Sequence, residues 1–190
     1  MVSLNRWTRD IRLVIGIAGR IGAGKTSAAR YLSSAYGLQY LRYSEVLAGW
    51  LAANSENKIE LQTVGWEVME KGLQAELNRR LIEQIMPGTS AVVDGLRHPL
   101  DYTSLHSRFG PSFHLIFLDV PFETRWEHVK GAGRHGTFEE FVAADAHSVE
   151  QQIELLRPHA TVTIKNDGSL AELYTKMDSA MELFRKEGQV

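Results

Sequence analysis

The chain has 190 residues, 44% hydrophobic and 23% charged, enough for one good hydrophobic core and short for two domains. A formal net charge of −2 gives no broad electrostatic attraction to nucleic acid or an anionic membrane. The absence of cysteine excludes disulfides, thiolate nucleophiles and cysteine-ligated zinc. The seven histidines show no metal-ligand spacing. No stretch approaches ~18 consecutive apolar residues, and Met1 to Asp10 carries no apolar run of signal-peptide length. A cytoplasmic protein without nucleic-acid or membrane partners is expected.

The first predicted strand, Arg12–Ile17, leads into Gly19-Arg20-Ile21-Gly22-Ala23-Gly24-Lys25-Thr26, a full match to G-x-x-x-x-G-K-[ST]. Ser27 to Leu32 then reads as helix. Strand, glycine loop and helix in that order form a phosphate cradle: glycines let the backbone curl so that successive N–H groups face an anion, and the helix N-terminus adds positive field. Gly19 through Ser27 are therefore expected to hold a nucleoside triphosphate, with Lys25 on the β- and γ-phosphates and the Thr26 hydroxyl on Mg²⁺.

Further strands are predicted over Leu38–Arg42, Ser90–Asp94, Phe113–Asp119 and Ala160–Ile164, separated by helical stretches. That alternation argues for a parallel α/β sheet. Ala91-Val92-Val93-Asp94 and Leu115-Ile116-Phe117-Leu118-Asp119 are apolar runs ending in carboxylates, as suits strands covered on both faces with polar groups at the carboxyl edge. Ser44 to Met86 looks helical throughout and is long for a crossover, as is Arg125 to Arg157, which opens with Gly131 and Gly133 and turns helical at a capping box, Thr137 with Glu140. Leu170, Leu173, Tyr174, Met177, Met181 and Phe184 fall at helical spacing behind a second box, Ser169 with Glu172.

On Gly19–Thr26, Leu61-Gln62 with Gly65 and Gly72, Asp94-Gly95-Leu96-Arg97, Leu118–Pro121 and Val162–Gly168, the chain resembles the P-loop nucleoside and nucleotide kinases. That group includes adenylate kinase, the deoxynucleoside monophosphate kinases and dephospho-CoA kinase. The resemblance implies a three-layer P-loop NTPase fold with a five-stranded parallel sheet of order 2-3-1-4-5. It implies one kinase domain: a core over 11–43, 87–124 and 158–190, an acceptor-binding helical insertion over 44–86 and a lid over 125–157.

By the same resemblance, Asp94 holds a Mg²⁺-bound water or takes the proton of an attacking hydroxyl, unless it merely caps a turn, and Arg97 grips the acceptor's phosphate. Ser44, Lys58 and Gln62 are placed against the acceptor, while Tyr43 suits either acceptor contact or packing. In the lid the chain departs from the adenylate-kinase pattern. Where an arginine covers the adenine stands His128, and where a second meets the phosphates stands Ala132. Arg134 is the preferred substitute cation, with Arg125 and Lys130 nearby. Asn166, in Lys165-Asn166-Asp167, is read as the turn backing an adenine, which favours ATP over GTP.

The expected protein is an ATP- and Mg²⁺-dependent phosphotransferase, monomeric or homodimeric, acting on a nucleoside or deoxynucleoside monophosphate. Two alternatives stand beside it: a dephospho-CoA kinase-like enzyme, and an ATP-binding switch or assembly factor with slow hydrolysis.

Overall fold

The computed structural model describes residues 13–52, 72–131, 133 and 136–187. Five parallel strands, β1 (Val14–Ala18), β2 (Gln39–Arg42), β3 (Ala91–Leu96), β4 (Phe113–Asp119) and β5 (Val162–Lys165), form a sheet of order 2-3-1-4-5. This is the order the resemblance implies. The strand limits shift by one or two residues. At the carboxyl ends the largest shift is at β3, which does not end at Asp94 but continues through Gly95 to Leu96. Its register with β1 slips between Ile17, opposite Asp94, and Ala18, opposite Leu96.

Eight helices are described: α1 (Lys25–Tyr36), α2 (Tyr43–Ala52), α3 (Gln74–Glu83), α4 (Pro99–Phe109), α5 (Phe122–Gly131), α6 (Phe138–Asp145), α7 (Ser148–Glu154) and α8 (Leu170–Glu187). Side chains alternate across a strand, so β1 feeds two cores. Ile15 and Ile17 pack with Ala28, Ala29 and Leu32 of α1 and Leu173, Met177 and Phe184 of α8. Val14 and Ala18 join Leu47 of α2, Leu77 and Leu81 of α3, Leu105 of α4 and Ile153 of α7. Each fully buried aliphatic side chain contributes about 1.5–3 kcal/mol. This three-layer packing explains why the central strands read as unbroken apolar runs.

Both expected capping boxes form: Glu140 N–H donates to Thr137 Oγ1 at 3.2 Å, and Glu172 N–H to Ser169 Oγ at 3.3 Å. In α8 the predicted stripe is buried at Leu173, Met177, Met181 and Phe184, half-buried at Tyr174, and 52% exposed at its first member, Leu170, which lines the cleft described below. The glycines after α5 do not begin a loop at Gly131, because α5 runs through that residue. Among the described residues no helix is long and apolar enough to cross a membrane.

Candidate functional site

The carboxyl edge of β1 hands the chain to the glycine loop. Gly22 has φ 78° and Gly24 φ 91°, conformations that favour glycine. Space enforces the same choice. A Cβ on Gly22 would sit 2.5 Å from the Arg125 carbonyl oxygen, and one on Gly24 would sit 2.7 Å from Asn166 Nδ2. The loop is thus wedged between α5 on one side and the turn after β5 on the other. Arg125 Nη1 donates to the Ile21 carbonyl at 3.1 Å, Asn166 Nδ2 to the Ala23 carbonyl at 3.1 Å, and the His128 ring meets the Gly22 carbonyl at 2.9 Å through Nδ1. A carbonyl only accepts, so His128 carries its proton on Nδ1 in this contact.

The loop floors a cleft of about 780 Å³ whose walls include Lys25, Thr26, Ser27, Arg30, Arg42, Ser44, Asp94, Arg97, His128, Glu150 and Asn166. Lys25 folds back on its own loop, donating to the carbonyls of Gly19 at 2.5 Å and Arg20 at 2.9 Å. Desolvation pushes its ammonium down to about 8; Arg97 and Arg125 act in the same direction, while Glu150 and Asp94 oppose it. The Thr26 hydroxyl donates to Asp94 Oδ2 at 2.8 Å. Asp94 is buried, accepts also from the Tyr40 hydroxyl at 2.9 Å, and pairs with Arg42 Nε at 3.5 Å. Hydroxyl and carboxylate together are the hard oxygen donors a magnesium ion takes, so Thr26 and Asp94 fit such an ion.

Arg97 follows β3 on the same wall. Its main chain is fixed by Asp101, whose Oδ2 accepts from the N–H groups of Arg97 and His98, each at 2.9 Å. Burial raises the Asp101 carboxyl above the usual range. The guanidinium of Arg97 lies 3.4 Å from Glu150 Oε1, and the other oxygen of Glu150 accepts from the Ile21 N–H of the glycine loop at 2.7 Å.

Several expected roles are redistributed. Arg125, one of three candidates for the lid cation, is instead a buried brace: it pairs with Asp145 at 2.5 Å, reaches the Val120 and Ile21 carbonyls, and lies over the rings of Phe122 and Phe141. It therefore cannot swing with a lid, as its place in the 125–157 segment had implied. Arg20 points away to Asp145, 3.2 Å from its Oδ1, and Gly19 lies behind the cleft wall. Asn166 lines the cleft, but its N–H is spent on the Asp119 carbonyl at 3.0 Å and its amide braces the loop. Tyr43 is buried with its hydroxyl on Asn78 Oδ1 at 2.5 Å, and it also lines the cleft. Ser44 lines the cleft as expected. Lys58, Gln62 and Arg134 lie outside the described residues.

Sequence reasoning passed over Arg30, Arg42 and Glu150. Arg42 carried a usable signal, since it closes β2 at the carboxyl edge, in register with Asp94. Glu150 carried none: it stands in a helix far from any motif.

A phosphate cradle after the first strand of a parallel 2-3-1-4-5 sheet, with a carboxylate near the carboxyl end of the neighbouring strand, defines the P-loop kinase fold. Residues 15–147, well over half of the chain, match a family described as an AAA domain, and the chain belongs to that family. No curated protein matches it. Among solved structures it is similar to TT1252 from Thermus thermophilus, at 22% identity and a TM-score of 0.63, covering 91% of this chain and 98% of that one. It is also similar to the shikimate kinase from Acinetobacter baumannii in complex with shikimate, at 16% identity, a TM-score of 0.57 and coverage of 92% and 93%. A sugar kinase from Janibacter sp. HTCC2649 follows at 16%, 0.53, 91% and 95%. At these identities the likeness is one of fold.

Proposed function

We propose that the protein is an ATP-dependent small-molecule phosphotransferase whose acceptor is a nucleoside or deoxynucleoside monophosphate. The observation that carries this reading is the Thr26–Asp94 pair, 2.8 Å apart, on the floor of a cleft that Arg97 shares from the other side. One half of the cleft is built to hold a polyphosphate by backbone and Lys25; the other presents a guanidinium suited to an oxyanion.

Phosphoryl transfer asks for positioning and charge more than covalent chemistry. Lys25, released from the Gly19 and Arg20 carbonyls, bridges the β- and γ-phosphates. Bound through Thr26 and Asp94, magnesium supplies neutralisation of the phosphate charge. Arg97 aligns the acceptor phosphate so that its oxygen attacks the γ-phosphorus as the bond to the β-phosphate oxygen breaks, leaving ADP. His128, whose ring meets the Gly22 carbonyl, takes the role of stacking on the donor's base that the resemblance implies. With Arg125 committed to the loop, the charge that closes over the transferring group falls to Arg134 or Lys130. The 44–86 segment is the acceptor-binding part and the chain beyond α5 the cover.

Acceptor-dependent ADP release, screened over the nucleoside monophosphates and dephospho-CoA, tests this reading. One monophosphate is expected to raise ADP release far above basal hydrolysis. A response to dephospho-CoA alone moves the acceptor to a hydroxyl compound. No response to any acceptor leaves an ATP-binding switch, which the pairing of Arg97 with Glu150 would then favour.

A further inference from the structure

We propose that Glu150 is an internal anion that competes for the phosphate cradle with the donor's terminal phosphoryl group, so that donor binding displaces it and releases Arg97 for the acceptor. This rests on the cleft being the donor site, as read above.

The cradle selects anions through inward-facing N–H groups, and one of them, that of Ile21, is already taken by Glu150 Oε2 at 2.7 Å. The second oxygen, Oε1, is buried without a hydrogen-bond partner, although Arg97 Nη1 lies 3.4 Å away. A carboxylate kept only as a strut would satisfy both oxygens, since a buried charge is costly unless paired and fully hydrogen-bonded. A half-satisfied one is a contact ready to be exchanged. Lys25 is parked in the same manner on carbonyls of its own loop. The two cations of the cleft best placed for phosphate are thus held by internal partners. A phosphate oxygen on the Ile21 N–H removes the reason for Glu150 to stay, and like-charge repulsion drives it out. Arg97 then loses its only carboxylate partner among the described residues and turns to the incoming acceptor. Donor before acceptor is the order of addition that follows.

The test measures binding of inorganic tripolyphosphate, which fills the donor half alone, to the wild-type protein and to Glu150→Gln. The variant keeps an acceptor for the Ile21 N–H but loses the competing charge, and its Kd should fall roughly tenfold or more, a modest share of the repulsion between charges a few ångströms apart in a cleft. Equal or weaker binding overturns the proposal while leaving the donor site standing. Binding by neither protein overturns the donor-site reading, and the proposal with it. Should the variant not fold, a crystal structure of the wild-type protein with tripolyphosphate decides. A phosphate oxygen on Ile21 N with Glu150 withdrawn supports displacement, and an intact 2.7 Å contact contradicts it.

Discussion

The two halves of the cleft are built on different principles. The donor half is made of backbone: a glycine loop held from behind by Arg125 and from the side by Asn166, with its shape set before any ligand arrives. The acceptor half is made of side chains that hold one another, Arg97 against Glu150 and Arg42 against Asp94. A backbone cradle is specified by glycines at fixed spacing and by the strand and helix around it. Side-chain pairing depends on which residues the fold brings together. On the proposed reading, the first kind of site is general for phosphate and the second carries the choice of substrate.

The sharpest break between the halves comes at Lys25. Lys25→Ala should cut turnover by about 10³-fold or more, as loss of a charge on the transferring group does. Its thermal transition should not fall, because the hydrogen bonds lost are to the loop's own Gly19 and Arg20 carbonyls and the cost of burying the cation is relieved. Steady-state kinetics with a melting curve checks both statements; a turnover near wild type would contradict the donor site.

Arg125→Ala attacks the brace in place of the chemistry. It strands the Asp145 carboxylate, which is buried and paired with Arg125, and should cost about 3–5 kcal/mol in chemical denaturation. The Arg20 contact to Asp145 softens the loss. A change below about 1 kcal/mol would show that the loop does not depend on this pair.

Arg97→Ala sharpens the comparison from the acceptor side. Losing a charged contact of about 1.5–3 kcal/mol raises the acceptor KM by roughly 10- to 150-fold, with ATP affinity changed by only a few-fold. Equal loss for both substrates would make Arg97 a structural residue.

The smallest effect is in pH. Desolvation disfavours the Lys25 cation and pushes its ammonium from the ordinary 10.5 down to about 8. Phosphate needs the protonated form, so ATP affinity should hold below about 8 and fall above it, by up to about tenfold per pH unit. Stability runs the other way: the cost of burying the cation is fully present below about 8 and is relieved as pH rises towards 10.5. Calorimetric titrations from pH 7 to 9.5 follow the first effect, and Lys25→Ala should flatten it.

Much of this was legible in the sequence, for reasons that differ between the halves. The apolar runs of β3 and β4 marked a buried parallel sheet, and Gly22, Gly24 and Lys25 announced the cradle by spacing alone. Asp94 and Arg97 were singled out because Asp94-Gly95-Leu96-Arg97 resembles a motif of the nucleotide kinases, and both line the cleft. Arg125 was misjudged since a cation near a glycine-rich stretch looks mobile; only the fold reveals Asp145, 20 residues on, turning back to bury it. Glu150 lies 129 residues from the N–H it binds, and no periodicity encodes a contact of that range.

The central claim is that the two halves work as one site, so that the γ-phosphoryl group passes to an acceptor and not to water. The direct measurement is the fate of label from ATP carrying ³²P at the γ position, incubated with the protein, Mg²⁺ and each nucleoside monophosphate. The account predicts label in a nucleoside diphosphate, in excess over labelled inorganic phosphate, and none with Lys25→Ala. Label found only in inorganic phosphate, with every acceptor tried, would contradict it.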